Sequence, residues 1–91
     1  MISRRFHISG RVQGVFFRDW AVAAANGSGV TGWVRNRRDG SVEIVATGTA
    51  DQLKAFLAKL QVGSRASQVD CVEVEDVPHQ AFGGFARKAS A

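Results

Sequence analysis

The stretch Gly10-Arg11-Val12-Gln13-Gly14-Val15-Phe16-Phe17-Arg18 carries the residue types best suited to chemistry in this 91-residue chain. Two glycines flank a short turn, and an arginine follows just inside what reads as a helix. A turn of this kind aims successive backbone N–H groups into one concavity, and the first N–H groups of a helix have no partner inside it. The helix N-terminus adds a partial positive charge, so the place favours an anion. The planar fork of Arg18 suits phosphate oxygens. Residue types alone thus describe a phosphate-sized anion site. The competing reading is an ordinary strand-to-helix turn whose surface arginine pairs with neighbouring Asp19. The spacing G-x-x-x-G is not a P-loop, which ends in Gly-Lys-Ser/Thr, and it is not G-x-G-x-x-G.

A second stretch, Gly32-Trp33-Val34-Arg35-Asn36-Arg37-Arg38-Asp39-Gly40-Ser41-Val42-Glu43, reads as strand, tight turn and strand, with Asp-Gly as the hairpin signal. Together GRVQGVFFR and GWVRN…DGSVE resemble the acylphosphatase family. The resemblance runs from about Arg5 to Arg87. It implies an enzyme that hydrolyses the carboxyl–phosphate bond of small acyl phosphates, giving a carboxylate and inorganic phosphate, with no metal and no cofactor. It further implies that Arg18 binds the phosphate. Backbone amides of Val12, Gln13, Gly14, Val15, Phe16 and Phe17 are expected to hold the remaining oxygens, and Asn36 to orient the attacking water. Asp19 departs from the family pattern, where an aromatic or other bulky residue is more usual. The same domain resembles the N-terminal part of a hydrogenase-maturation carbamoyltransferase, but a single domain favours the stand-alone enzyme.

These residue types suit that reaction. The leaving group is a carboxylate, a weak base, so no strong general acid is needed. Phosphoryl transfer depends on positioning and on stabilising charge at the equatorial oxygens. A cationic fork and a nest of N–H groups supply both, and an amide side chain can hold a water by donating and accepting. His7 and His79 stand far apart in dissimilar contexts, which argues against a shared metal. Trp20 and Trp33 are expected in the core, and Cys71 as a buried small hydrophobe without a partner base.

The elements that must position these groups follow from periodicity. Phe6, Ile8 and Gly10 alternate on one face of a first strand. Phe17, Trp20, Ala21 and Ala24 follow helical spacing, and Asn26-Gly27 reads as that helix's end. Val30 to Arg35 is a second strand, and Val42, Ile44 and Ala46 alternate along a third. Thr49 and Gln52 form a capping box before a helix with Leu53, Phe56, Leu57 and Leu60 on one side. Val69 to Val77 is a fourth strand whose alternation slips, which predicts a bulge near Cys71. Phe82 to Arg87 is a short last strand, and residues 88–91 are expected to fray. The fold class is therefore α+β, a ferredoxin-like β-α-β-β-α-β sandwich with two helices on one face of an antiparallel sheet, in one domain over residues 1–91.

Net charge is +4, and Arg4, Arg5, Arg11, Arg18, Arg35, Arg37 and Arg38 all precede the first acidic cluster, opposed only by Asp19. A positive half concentrates anions near it. That supports a small anionic substrate and leaves open a ferredoxin-like nucleic-acid-binding module that stacks bases on Phe6 and Trp33, although no RNP-type motif is present. One cysteine permits no internal disulfide. The start lacks a signal-peptide pattern, and no stretch is long enough to span a membrane. The expectation is a cytoplasmic monomer with an acyl phosphate substrate and neither a nucleic-acid nor a membrane partner.

Overall fold

Phe6 and Ile8 are fully buried while Arg5 and His7, which alternate with them, reach the opposite side of β1 (Ile2–Arg11). This period-2 pattern sets the two faces of the sheet. In the computed structural model, which describes residues 1–91, β1 is followed by α1 (Phe17–Ser28), β2 (Thr31–Asn36), β3 (Val42–Gly48), α2 (Ala50–Val62), β4 (Gln68–Val77) and β5 (Phe85–Arg87). The strands lie in the order β4-β1-β3-β2-β5. β1 pairs antiparallel with both β3 and β4, and β2 pairs antiparallel with β3, placing Phe6 opposite Ile44 and Asn36 opposite Val42.

Both helices cover one face. Phe17, Ala21 and Ala25 of α1 and Leu53, Phe56 and Leu60 of α2 join Phe6, Ile8, Val34, Val42, Ile44 and Ala46 in a single core. The Phe56 ring meets Phe6 edge-on at 5.6 Å and Phe85 at 5.9 Å. Truncating such a buried ring to alanine typically costs about 3–5 kcal/mol. Thr49 accepts from the Gln52 N–H while Gln52 accepts from the Thr49 N–H, so the capping box opens α2 as the sequence indicated.

Several expectations are corrected. The sheet is mixed, because β5 runs parallel to β2 and the antiparallel pattern holds only for the other strands. α1 runs two residues past Asn26 and ends at Gly29, whose left-handed φ of 74° caps it. The chain beyond Arg87, expected to fray, is tied back to β2 at two points. Its Lys88 N–H donates to the Val34 carbonyl at 2.8 Å and its Ala91 N–H to the Asn36 carbonyl at 3.0 Å. Cys71 is exposed, because β4 is an edge strand with little packed on its outer side.

The slip in β4 is real. Pairing runs Ser9 to Cys71 and then Gly10 to Val69, so Asp70 is left unpaired as a bulge. Gly10 is needed there because of the bulge itself. At φ 124°, a Cβ would overlap the Gln68 carbonyl oxygen across the bulge.

Candidate active site

The loop between β1 and α1 is built on an anchor and two left-handed residues. Val12 is buried in the core beneath it. Gly14 turns at φ 73° and Phe16 at φ 58°. Phe16 is the N-cap of α1, and no side chain caps the helix. The amides of the first helical turn are therefore left without a side-chain acceptor, and their dipole is uncompensated by a cap. Gly14 has open space around its α-carbon, which leaves the backbone there accessible from outside.

Asn36 reaches this loop through strand parity. It lies two residues beyond Val34, which points into the core, so both share the helix-covered face of β2. As the last residue of β2 it stands at the end of that face nearest the loop. A cavity of about 290 Å³ results, with Arg18 and Asn36 in its wall. Val12, Gly14, Phe16 and Phe17 of the loop line it too. The Asn36 Oδ1 is buried and accepts no hydrogen bond from the protein. A buried acceptor left unpaired is costly, and the residue that carries it is one of those lining the hollow.

Arg18 does not pair with Asp19. Its Nη1 donates to the Lys88 carbonyl at 3.1 Å, while Asp19 accepts from Arg87 Nη1 at 2.8 Å. Of the two arginines lining the cavity, Arg18 is thus the one without a carboxylate partner. Arg87 is a lining residue that the sequence reading missed. Nothing in its local pattern reports it, because it reaches the cavity through the parallel pairing of β5 on β2, opposite Val34.

Two of the expected loop residues have side chains turned elsewhere. Val15 packs against the core. The Gln13 amide donates from Nε2 to the carbonyls of Arg37 at 2.7 Å and Ser41 at 2.8 Å, tying the loop to the β2–β3 hairpin. That hairpin is itself braced. Asp39 accepts from the Ser41 N–H at 2.9 Å and from its hydroxyl. These hydrogen bonds from Ser41 hold the Asp39 carboxyl below its ordinary pKa, with His7 and Arg37 adding to them.

Glu43, on the sheet face away from the helices, is the other feature the sequence reading overlooked. It is buried and bound by Arg5 at 2.9 Å, Arg35 at 2.7 Å and Arg37 at 2.9 Å. Burial pushes its carboxyl pKa up, but the hydrogen bonds and charges of Arg35, Arg37 and Arg5 outweigh that and bring it below the ordinary value. A larger hollow of about 470 Å³ opens beside it, among Arg5, His7, Arg37 and Glu73. Its arginines are already engaged with carboxylates, so the smaller cavity is the better anion site. No three His, Cys, Asp or Glu side chains converge as a metal site anywhere in the chain.

The aromatics of the nucleic-acid alternative are not displayed. Phe6 is buried. Trp33 is half-buried on the open face, not in the core as expected, with the Arg35 guanidinium 5.0 Å and the Lys88 ammonium 4.6 Å from its ring centre. Its face is already occupied by cations.

The fold and the cavity together define an α+β sandwich of the ferredoxin-like type, with a cavity lined by Arg18 and Asn36 where the first strand turns into the first helix. A profile described as Acylphosphatase matches residues 4–87. An acylphosphatase from Rhizorhabdus wittichii is 52% identical over 87 residues, covering 96% of this chain and 88% of that protein. The crystal structure of acylphosphatase from Bacillus subtilis superposes with a TM-score of 0.93 at 35% identity, covering 97% of this chain and 99% of that one. HypF from T. kodakarensis contains a similar domain, with a TM-score of 0.86 at 29% identity, but all of this chain matches only 12% of it. The chain belongs to the acylphosphatase family, and it is an enzyme of that class.

Proposed function

We propose that Arg18 and the backbone amides of residues 12–17 hold the phosphoryl group of a small acyl phosphate, and that Asn36 aims the water that attacks phosphorus. The observation that carries this reading is the shared cavity, lined both by Arg18, which is free of carboxylates, and by Asn36, whose Oδ1 is buried without a protein partner. The guanidinium and the amides neutralise charge on the equatorial oxygens. The Asn36 Oδ1 accepts a hydrogen bond from the water and so directs an oxygen lone pair at phosphorus. The P–O bond to the carboxylate breaks, the carboxylate leaves as a weak base, and the water oxygen ends in inorganic phosphate. The water's proton passes to the phosphate product or to solvent.

The same reading has the protein acting as a cytoplasmic monomer without metal, nucleic-acid or membrane partner. An exposed free thiol at Cys71 suits a reducing compartment. The exposed large apolar side chains, such as Phe16, Val62 and Val74, are scattered along the chain. No helix is long and apolar enough to cross a membrane.

The test is hydrolysis of benzoyl phosphate in a chelator, with inorganic phosphate as a competitive inhibitor. Arg18→Ala is expected to lower kcat/KM by about 10³-fold, the scale of removing a principal charge-stabilising donor, and to abolish inhibition by phosphate. Wild-type turnover in Arg18→Ala would refute the assignment.

A further inference from the structure

Phe16 has a backbone and a side chain that are both costly, and the phosphate site explains only one of them. Its φ of 58° makes it the one residue other than glycine with positive φ in the chain. Bulky side chains are disfavoured there, and glycine adopts that conformation freely. The turn into the helix requires the backbone geometry, but it does not require a phenyl ring. The ring is also 83% exposed, so it contributes little to the core. Yet it lines the cavity that holds Arg18 and Asn36, and its exposure places it on the open side of that cavity.

The rest of the rim narrows what such a ring can meet. Arg87 and Asp19 also line the hollow, and they neutralise each other at 2.8 Å. With Arg18 committed to the phosphoryl group, no unpaired cation remains for a second anionic group on the substrate. The acyl moiety must project towards the open side, because the phosphoryl end is taken by the loop. There it meets an aromatic face and a charge-neutral pair.

We propose that the Phe16 ring is the acyl-group subsite and that it selects acyl phosphates with an uncharged apolar acyl group, aromatic ones above all. The proposal rests on the reading of Arg18 as the phosphate ligand. The ring stacks on or packs against the acyl group, which covers apolar surface that both would otherwise expose to water. An acyl group carrying its own carboxylate is disfavoured because it finds no unpaired cation at this rim.

The experiment compares kcat/KM for benzoyl, acetyl and 4-carboxybenzoyl phosphate in wild type, Phe16→Ala, Phe16→Gly and Phe16→Tyr. Taking the ratio of substrates within each variant cancels any effect of the substitution on the loop backbone. The benzoyl-to-acetyl ratio is expected to fall about fivefold in Phe16→Ala and Phe16→Gly, the scale of one aromatic contact, and to be restored in Phe16→Tyr. Phe16→Gly also relieves the left-handed strain, so strain at that position cannot account for its fall. Benzoyl phosphate is expected to be preferred over its 4-carboxy derivative in wild type. An unchanged benzoyl-to-acetyl ratio in both truncations overturns the ring's role, and equal turnover of benzoyl and 4-carboxybenzoyl phosphate overturns the charge selection. Failure of the underlying phosphate reading has a separate signature, which is retained turnover of all three substrates in Arg18→Ala.

Discussion

The side-chain amide of Gln13 donates to the Arg37 carbonyl at 2.7 Å, so the loop between β1 and α1 is fastened to the hairpin that follows Asn36. A second hydrogen bond from the same nitrogen reaches the Ser41 carbonyl at 2.8 Å, on the other side of the turn. The loop follows β1 and the asparagine ends β2, two strands that are not neighbours in the sheet. The clamp crosses β3 and fixes the distance between them.

Gln13→Ala removes the clamp without touching the cavity lining. Stability is expected to fall by about 1–2 kcal/mol, the scale of two lost neutral hydrogen bonds, and kcat by roughly tenfold, as expected of a small misplacement of catalytic groups. Gln13→Glu is expected to be worse on both counts, because an ionised carboxylate cannot donate to a carbonyl. Urea denaturation and steady-state kinetics on the same preparations check this. A full loss of stability with kcat intact would reduce Gln13 to a purely structural tie.

In the proposed mechanism Asn36 contributes an acceptor for the water, while Arg18 contributes charge. Asn36→Ala is therefore expected to lower kcat by about 10²-fold and to leave the inhibition constant for inorganic phosphate within about twofold. Asn36→Asp keeps an acceptor but adds a negative charge opposite the phosphate, so it is expected to weaken phosphate binding as well. Product-inhibition kinetics separate the two effects. Equal losses in kcat and phosphate affinity for Asn36→Ala would move the residue from water positioning to phosphate binding.

The Asp19–Arg87 pair is exposed on both sides, with side chains 58% and 51% accessible. Its direct worth to stability is expected to be under about 1 kcal/mol. Its effect on the site is larger, because Arg87→Ala frees the Asp19 carboxylate beside Arg18. Phosphate inhibition is expected to weaken severalfold in Arg87→Ala and to recover in the double variant Asp19→Asn, Arg87→Ala. This double-mutant cycle reads the coupling directly. Additive effects would mean that Arg87 binds phosphate itself and that Asp19 is a bystander.

Much of the architecture is legible in the sequence because it is local. Phe6 and Ile8 alternate, Leu53, Phe56 and Leu60 fall on one helical face, Thr49 and Gln52 cap, and the phase slip at Cys71 marks the bulge at Asp70. The gathering of Arg18 and Asn36 on one cavity was expected from two motifs, and both residues line it. What escaped was set by pairing between distant segments. The three residues of β5 have too little pattern to reveal a parallel partner, so the place of Arg87 could not be read. Exposure of Cys71 follows from edge position, and burial of Glu43 from three arginines that converge only once β1, β2 and β3 are side by side. Spacing in sequence carries neither relationship.

Glu43 makes a prediction about acid. Its folded carboxyl titrates below the ordinary value of 4.5, since Arg35, Arg37 and Arg5 outweigh burial. As pH falls past about 4.5, the unfolded chain takes up the proton first. The stability that Glu43 contributes is therefore complete above that pH and is lost as pH falls through the lower folded value. Glu43→Gln is expected to be roughly 2 kcal/mol less stable at pH 7, below the cost of breaking a fully buried pair because its arginines remain 30–46% accessible. It is also expected to lose less stability than wild type between pH 7 and pH 3, so the two curves converge in acid. Urea midpoints at those two pH values measure it. Parallel curves with a constant gap would show that the arginines stabilise the neutral side chain as well as the charged one, and that the effect of the substitution is packing alone.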